Sequence, residues 1–444
     1  MPNFVFCSDR VVLPGGIGPA SVHVRNGRIA AVKALGAKAG RGADVVDVSG
    51  SVLLPGLVDT HVHVNEPGRT DWEGFDSATR AAAAGGITTM LDMPLNAIPA
   101  TTKAAALAEK RGAARGQCHV DVGFIGGVVA DNARSLSALH SAGILAWKCF
   151  LIDSGVPEFT PVDETALRAA LPQLAAWDLP LMVHAELPDP VLALPSGVVR
   201  QYARYAATRP VEAEVKAVEL MVRLLHQYGG RIHIVHVSSG DAAQCIAAAR
   251  AGGVPITGET CPHYLTFAAE EIPDGATAFK CAPPIRERAH RDALWAALMN
   301  GALQMIVSDH SPSPPALKSL DTGDFATAWG GIASLQLGLS AVWTEARKRG
   351  VALERVVEWM STQPANLVRL SRKGVIAEGY DADLVVFDPD ETWTVDGSQL
   401  LHRHPLTPYD GLTLAGRVRA TYLRGDLIYD HSGTSPTPIE HDDA

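Results

Sequence analysis

Eight apolar runs, alternating with segments of helical character, set the architecture of this chain. The runs cover residues 53–63, 87–93, 120–128, 144–151, 180–186, 232–238, 255–260 and 303–309, and are rich in Val, Ile and Leu. Ala- and Leu-rich segments at 75–84, 103–114, 164–176, 211–228, 242–251 and 287–300 lie between them. Apolar strands that alternate with helices read as parallel strands covered on both faces. Eight of them over about 260 residues match an α/β chain built on a (β/α)8, TIM-like barrel. An open doubly wound sheet is the alternative, but no Gly-x-Gly-x-x-Gly turn follows the first strand.

The two ends read differently. Val22-His23-Val24-Arg25 and Arg28-Ile29-Ala30-Ala31-Val32 flank Asn26-Gly27, a strong hairpin signature. Gly36 to Gly42 reads as a loop rich in Gly and Ala. Past the barrel come two helical segments, 332–349 and 353–370, then strands at 384–387, 392–395, 417–422 and 426–428. Asp388-Pro389-Asp390 and Arg424-Gly425-Asp426 read as turns between them. Neither end holds a core alone. The expectation is a barrel over 54–370 beside a small composite β-sandwich made from 1–53 and 371–430. Residues 431–444, polar with two prolines, read as a disordered tail.

Bulk properties exclude several classes. With 444 residues, 47% of them apolar, the chain can bury a large core. Its net charge of −10, with no basic run, makes nucleic acid and anionic membrane poor partners. No apolar stretch approaches the ~18 residues of a membrane span, and Met1-Pro2-Asn3-Phe4 does not open a signal peptide. Six scattered cysteines do not form a disulfide framework. A reduced, cytoplasmic protein is expected.

In a barrel, chemistry sits at the C-terminal ends of the strands. The first run brings His61 and His63 there, two apart and therefore on one face. The fourth carries Lys148 within an apolar strand, the fifth ends at His184, and the eighth delivers Asp309. The sixth holds His233 and His236, on opposite faces; His236, nearer the strand end, is the choice for the barrel mouth. Each has an ordinary reading: a satisfied polar group, a lysine paired with a carboxylate, a helix cap. Their convergence on one rim points to a divalent metal, for which neutral imidazole is a natural ligand. An ammonium beside a metal is repulsive. Carboxylated by CO2, the same lysine becomes an anion whose two oxygens can bridge two cations.

Pro55-Gly56-Leu57-Val58-Asp59-Thr60-His61-Val62-His63, Lys148-Cys149-Phe150, His184-Ala185-Glu186, His236-Val237-Ser238-Ser239, Ser308-Asp309-His310 and Gly379-Tyr380-Asp381-Ala382-Asp383-Leu384-Val385-Val386 together resemble the amidohydrolase superfamily, in its cyclic-amidase branch. Dihydroorotases of that branch place an arginine where this chain has Asn65. Hydantoinases and dihydropyrimidinases place a tyrosine where it has Asp153. The segments Asn65-Glu66-Pro67-Gly68-Arg69, Asp92-Met93-Pro94-Leu95-Asn96, Glu259-Thr260-Cys261-Pro262-His263-Tyr264-Leu265, Lys280-Cys281-Ala282-Pro283-Pro284 and Ala328-Trp329-Gly330-Gly331-Ile332 resemble the allantoinases. The loop Ser311-Pro312-Ser313-Pro314-Pro315 matches them too, with a serine where a cysteine is common.

The resemblance implies hydrolysis of the cyclic amide of allantoin to allantoate by a hydroxide shared between two divalent ions. Zinc is the first expectation, and cobalt, iron, nickel and manganese suit the same ligands. It implies His61, His63 and Asp309 on the deeper ion, His184 and His236 on the other, and N6-carboxylated Lys148 bridging both. Asp309 is then general base and acid. Asn96 and Ser311 are candidates for holding the substrate, and Cys261 and His263 could also face the pocket. Cys149, on the opposite strand face, is expected in the core. The family suggests a homotetramer. A hydantoinase or dihydropyrimidinase is the alternative enzyme; a non-catalytic scaffold would show a broken ligand set, and all six positions are filled here.

Overall fold

The computed structural model describes residues 3–38, 42–194 and 196–433. Part of the expected Gly/Ala loop and residues 434–444 of the expected tail lie outside the described residues. Eight strands pair in chain order, each parallel to the next: β1 (Leu57–Val62), β2 (Ile87–Asp92), β3 (Asp121–Gly127), β4 (Ala146–Phe150), β5 (Leu181–His184), β6 (Ile232–Ile234), β7 (Ile256–Thr260) and β8 (Met305–Ile306). A parallel bridge between Val62 and His310 returns the last to the first. There the His63 N–H donates to the His310 carbonyl at 2.8 Å. The curled sheet is the expected barrel.

Helices cover it for the reasons the sequence gives. In Val211–Tyr228 the buried residues Ala213, Ala217, Leu220 and Leu224 recur at steps of three and four, forming one apolar stripe. Phe75–Ala84 buries Ala78, Ala81 and Ala82, small side chains that let the helix lie close to the sheet. Asp163 caps Glu164–Trp177 by accepting from the Ala166 N–H at 2.8 Å.

The first apolar run is two strands. Val52–Pro55 pairs antiparallel with Leu384–Phe387 in a second sheet, and Leu57–Val62 starts the barrel. Gly56 joins them where no side chain fits: a Cβ there would lie 2.1 Å from Thr88 Oγ1 and 2.9 Å from Asp383 Cβ. The Ser361 hydroxyl, in the π-helical turn Glu358–Thr362, donates to the Gly56 carbonyl at 2.6 Å.

The second sheet also has eight strands and draws on both chain ends. Its Gly16–Arg25 and Arg28–Lys33 hairpin turns through Asn26 (φ 52°) and Gly27 (φ 75°), both left-handed as a tight hairpin turn requires. Asp388-Pro389-Asp390 is not a turn between two strands: Leu384–Thr394 is one strand with an irregular register there. The sheet is continuously hydrogen-bonded, yet Phe6 and Tyr422, three strands apart in its order, meet edge to face at 4.8 Å. It therefore folds over itself, closing a core of Phe6, Val22, Ile29, Leu53 and Leu384.

The six cysteines are free. Among the described residues no helix is long and apolar enough to cross a membrane.

Candidate active site

His61 lies inside β1 and His63 one residue past it. Lys148 is central in β4, and His184 ends β5. His236 and Asp309 stand two and three residues beyond β6 and β8, where each takes a left-handed backbone (φ 42° and 45°). Asn96, after β2, does the same at φ 66°. Non-glycine residues rarely sit there, and such strain collects at functional sites. These bends also end the strand ladders earlier than the apolar runs suggest. All six residues, with Asn96, Ser311 and Asp153, line one cavity of about 410 Å³ at the barrel mouth. Cys149 is buried in the core. Cys261 and His263 are fully buried and do not line the cavity.

The polar contacts fix which atoms face inward. Glu259 accepts from His61 Nδ1 at 2.6 Å and from His233 Nε2 at 2.8 Å. This turns His61 Nε2 toward Asp309, 3.1 Å from Oδ1; His63 Nε2 lies 3.5 Å from the same oxygen. A lone-pair nitrogen and a carboxylate oxygen come this close only when a cation, either a proton or a metal, lies between them. His184 donates through Nε2 to Glu186 at 2.8 Å, leaving Nδ1 as its free donor atom. Arg209 clamps both Glu186 oxygens at 3.0 and 2.7 Å. Lys148 is buried with no hydrogen-bond acceptor for Nζ.

The electrostatics agree. Burial lowers the Lys148 amine to about 8, against the pull of Asp309 and Glu259. Burial likewise lowers His63 to about 4, against Asp309. Burial would raise Asp309, but His61 and His63 hold its carboxyl well below the usual range. Burial would also raise Glu259; His233, then His61, overcome it and hold the group down to about 2. His61 differs: burial would lower it, but Asp309 and Glu259 raise it, so without a metal a proton can fill the place between His61 and Asp309. An ionised acid, an imidazole held neutral at His63 and an amine without an acceptor suit a divalent cation. His61, His63 and Asp309 place their ligand atoms within 4.8 Å of one another.

A family model described as the amidohydrolase family matches residues 52–428. The chain belongs to the amidohydrolase family. Among similar proteins, this amidohydrolase is 52% identical to an allantoinase of Streptomyces avermitilis, across 96% of this chain and 95% of that one. It is 47% identical to an allantoinase of Saccharomyces cerevisiae, across 88% and 86%. An L-hydantoinase (dihydropyrimidinase) from Arthrobacter aurescens superposes with a TM-score of 0.92 at 30% identity, covering 99% of this chain and 98% of that one.

Sequence reasoning missed the residues behind the histidines in this amidohydrolase. Glu259 lay in a quoted segment and Glu186 two residues past His184, but neither was given a role. A carboxylate that fixes the tautomer of a ligand histidine is a common support for metal sites, so the acid after His184 was a usable clue. Asp59 was also passed over. Its carboxylate accepts from the His61 and Ser308 N–H groups, each at 3.1 Å, and so ties β1 to the segment after β8; burial pushes it up to about 6. His310, next to Asp309, is held by Glu73 and Ser334 and does not line the cavity.

Proposed function

We infer that this protein hydrolyses the ring amide of allantoin to give allantoate. The full-length 52% identity to an allantoinase carries this reading, where the hydantoinase structures share the fold at about 30%. The site chemistry supports it. His61, His63 and Asp309 would hold one divalent ion, His184 and His236 a second, and Lys148, carboxylated on Nζ, would bridge them. The neutral amine of Lys148 is the form that adds CO2, releasing a proton and leaving a carbamate anion, and burial favours that form. Zinc, cobalt, iron, nickel or manganese suits these nitrogen and oxygen donors.

When bound, such ions supply hydroxide at neutral pH, by bringing a water from about 15.7 toward 7, and polarise the carbonyl under attack. Asp309 does the proton work. Held ionised, it takes the proton of the attacking oxygen and passes it to the ring nitrogen as the C–N bond breaks. Asn96 and Ser311, on the cavity wall, would hydrogen-bond the ureide. With Asp153 in place of a tyrosine, the site has no phenol there to stabilise an oxyanion. The six scattered cysteines support a reduced, cytoplasmic setting, and the family suggests a homotetramer, which light scattering checks.

The test is allantoate formation by purified protein grown with added metal and bicarbonate. Hydantoin, dihydrouracil and dihydroorotate run in parallel, with Lys148→Ala as blank. Turnover confined to allantoin and lost in the blank is expected. Turnover of hydantoin in preference to allantoin would overturn the substrate.

A further inference from the structure

A second group of ligand-type atoms lies outside the cavity wall. Cys261 follows β7, and His263 sits in the short helix Pro262–Thr266. Their ligand atoms and a carboxylate oxygen of Asp309 lie within 4.8 Å of one another. Both side chains are fully buried. Neither ring nitrogen of His263 has a hydrogen-bond partner. Buried polar atoms are nearly always satisfied, so two orphans on one imidazole, next to a thiol and a carboxylate, need an explanation. A cation accounts for one of the two nitrogens, the one that shares the group with Cys261 and Asp309.

We propose that Cys261, His263 and Asp309 form an inhibitory site for a thiophilic divalent cation, such as cadmium or excess zinc. Thiolate, imidazole and carboxylate are a donor set that soft and borderline metals take, and three protein ligands leave one position open. Binding exchanges the Cys261 thiol proton for the metal: an S–H bond breaks, an S–metal bond forms, and one proton is released. Asp309 belongs to both groups of ligands. An ion held by Cys261 and His263 therefore competes for the carboxylate that acts as base; this inhibitory part rests on the proposed role of Asp309, and the binding itself does not.

The test titrates the metal-loaded enzyme with cadmium. It follows thiolate-to-metal charge-transfer absorption, ions bound per chain and allantoin turnover. Of the six cysteines Cys281 lines the cavity and Cys7 and Cys245 are partly exposed, so the variants, rather than the absorption by itself, assign the site. We expect one further ion per chain, absorption that grows as turnover falls, loss of that absorption in Cys261→Ser, and affinity weakened about tenfold or more in His263→Gln. Cys281→Ser should keep it. No thiolate absorption in the unmodified protein, its survival in Cys261→Ser, or its loss only in Cys281→Ser would overturn the site. Absorption without inhibition would overturn the inhibitory assignment. A protein inactive on allantoin would still give the absorption, so failure of the substrate reading is separable.

Discussion

Glu259 offers the sharpest test of how this site is held. Its two oxygens accept from His61 and His233, and Thr257 Oγ1 lies 2.8 Å from the other nitrogen of His233. In Glu259→Gln the amide keeps one acceptor oxygen and turns an NH2 to the second imidazole. His233 can tolerate that, because it can move its proton to Nδ1, donate to Thr257 and accept from the amide. His61 cannot without losing the lone pair it directs into the cavity. The oxygen therefore stays with His61, and what is lost is the charge on the acceptor. Glu259→Leu removes both acceptors. Losing the support behind a ligand histidine lowers metal affinity about 10- to 100-fold, or about 1.4–2.8 kcal/mol. Glu259→Gln should fall near the lower figure and Glu259→Leu near the upper. Competition with a chromogenic chelator measures both, and saturating metal should restore much of the Glu259→Gln turnover. Metal affinity unchanged in Glu259→Leu, or lower in Glu259→Gln than in Glu259→Leu, would refute the argument.

Other predictions follow from the same contacts. Protein stripped of metal and CO2 should reactivate about tenfold faster at pH 9 than at pH 7, at fixed dissolved CO2. With Lys148 lowered to about 8, the neutral amine rises from about a tenth to about nine tenths of the population across that range; a rate independent of pH refutes this. Arg209→Met leaves the fully buried Glu186 without its clamp and should cost about 3–5 kcal/mol in urea unfolding. Gly56→Ala places a methyl against Thr88 and Asp383 and should lower both thermal stability and metal content, read by calorimetry and elemental analysis.

The barrel was legible because its strands are apolar on both faces and its helices carry one stripe; that rhythm survives without any knowledge of contacts. The helix Val211–Tyr228 matches its sequence reading residue for residue, since its stripe and its length are both local properties. Where the reading missed, the cause was non-local. The apolar run 53–63 carries a local break at Pro55-Gly56, but that two different sheets meet there follows only from its partners, Leu384–Phe387 on one side and Ile87–Asp92 on the other. Asp388-Pro389-Asp390 carries turn chemistry, but pairing with Thr413–Leu423 keeps the chain extended. The inward-facing histidines could be chosen by parity and position. Glu259 could not, because its partners lie 198 and 26 residues away in sequence.

The strand Val52–Pro55 also has a consequence for synthesis. Its partner Leu384–Phe387 leaves the ribosome roughly 330 residues later, about 20–60 s at ordinary elongation rates. Throughout that interval the His61 and His63 segment has been made but is braced on its N-terminal side only through the pairing of Val52 and Leu53 with Arg10 and Val11. A nascent chain would thus display a histidine pair to cellular metal long before the cavity exists. The six expected ligand positions are all in hand only once Asp309 has followed His61 out of the ribosome, about 250 residues later.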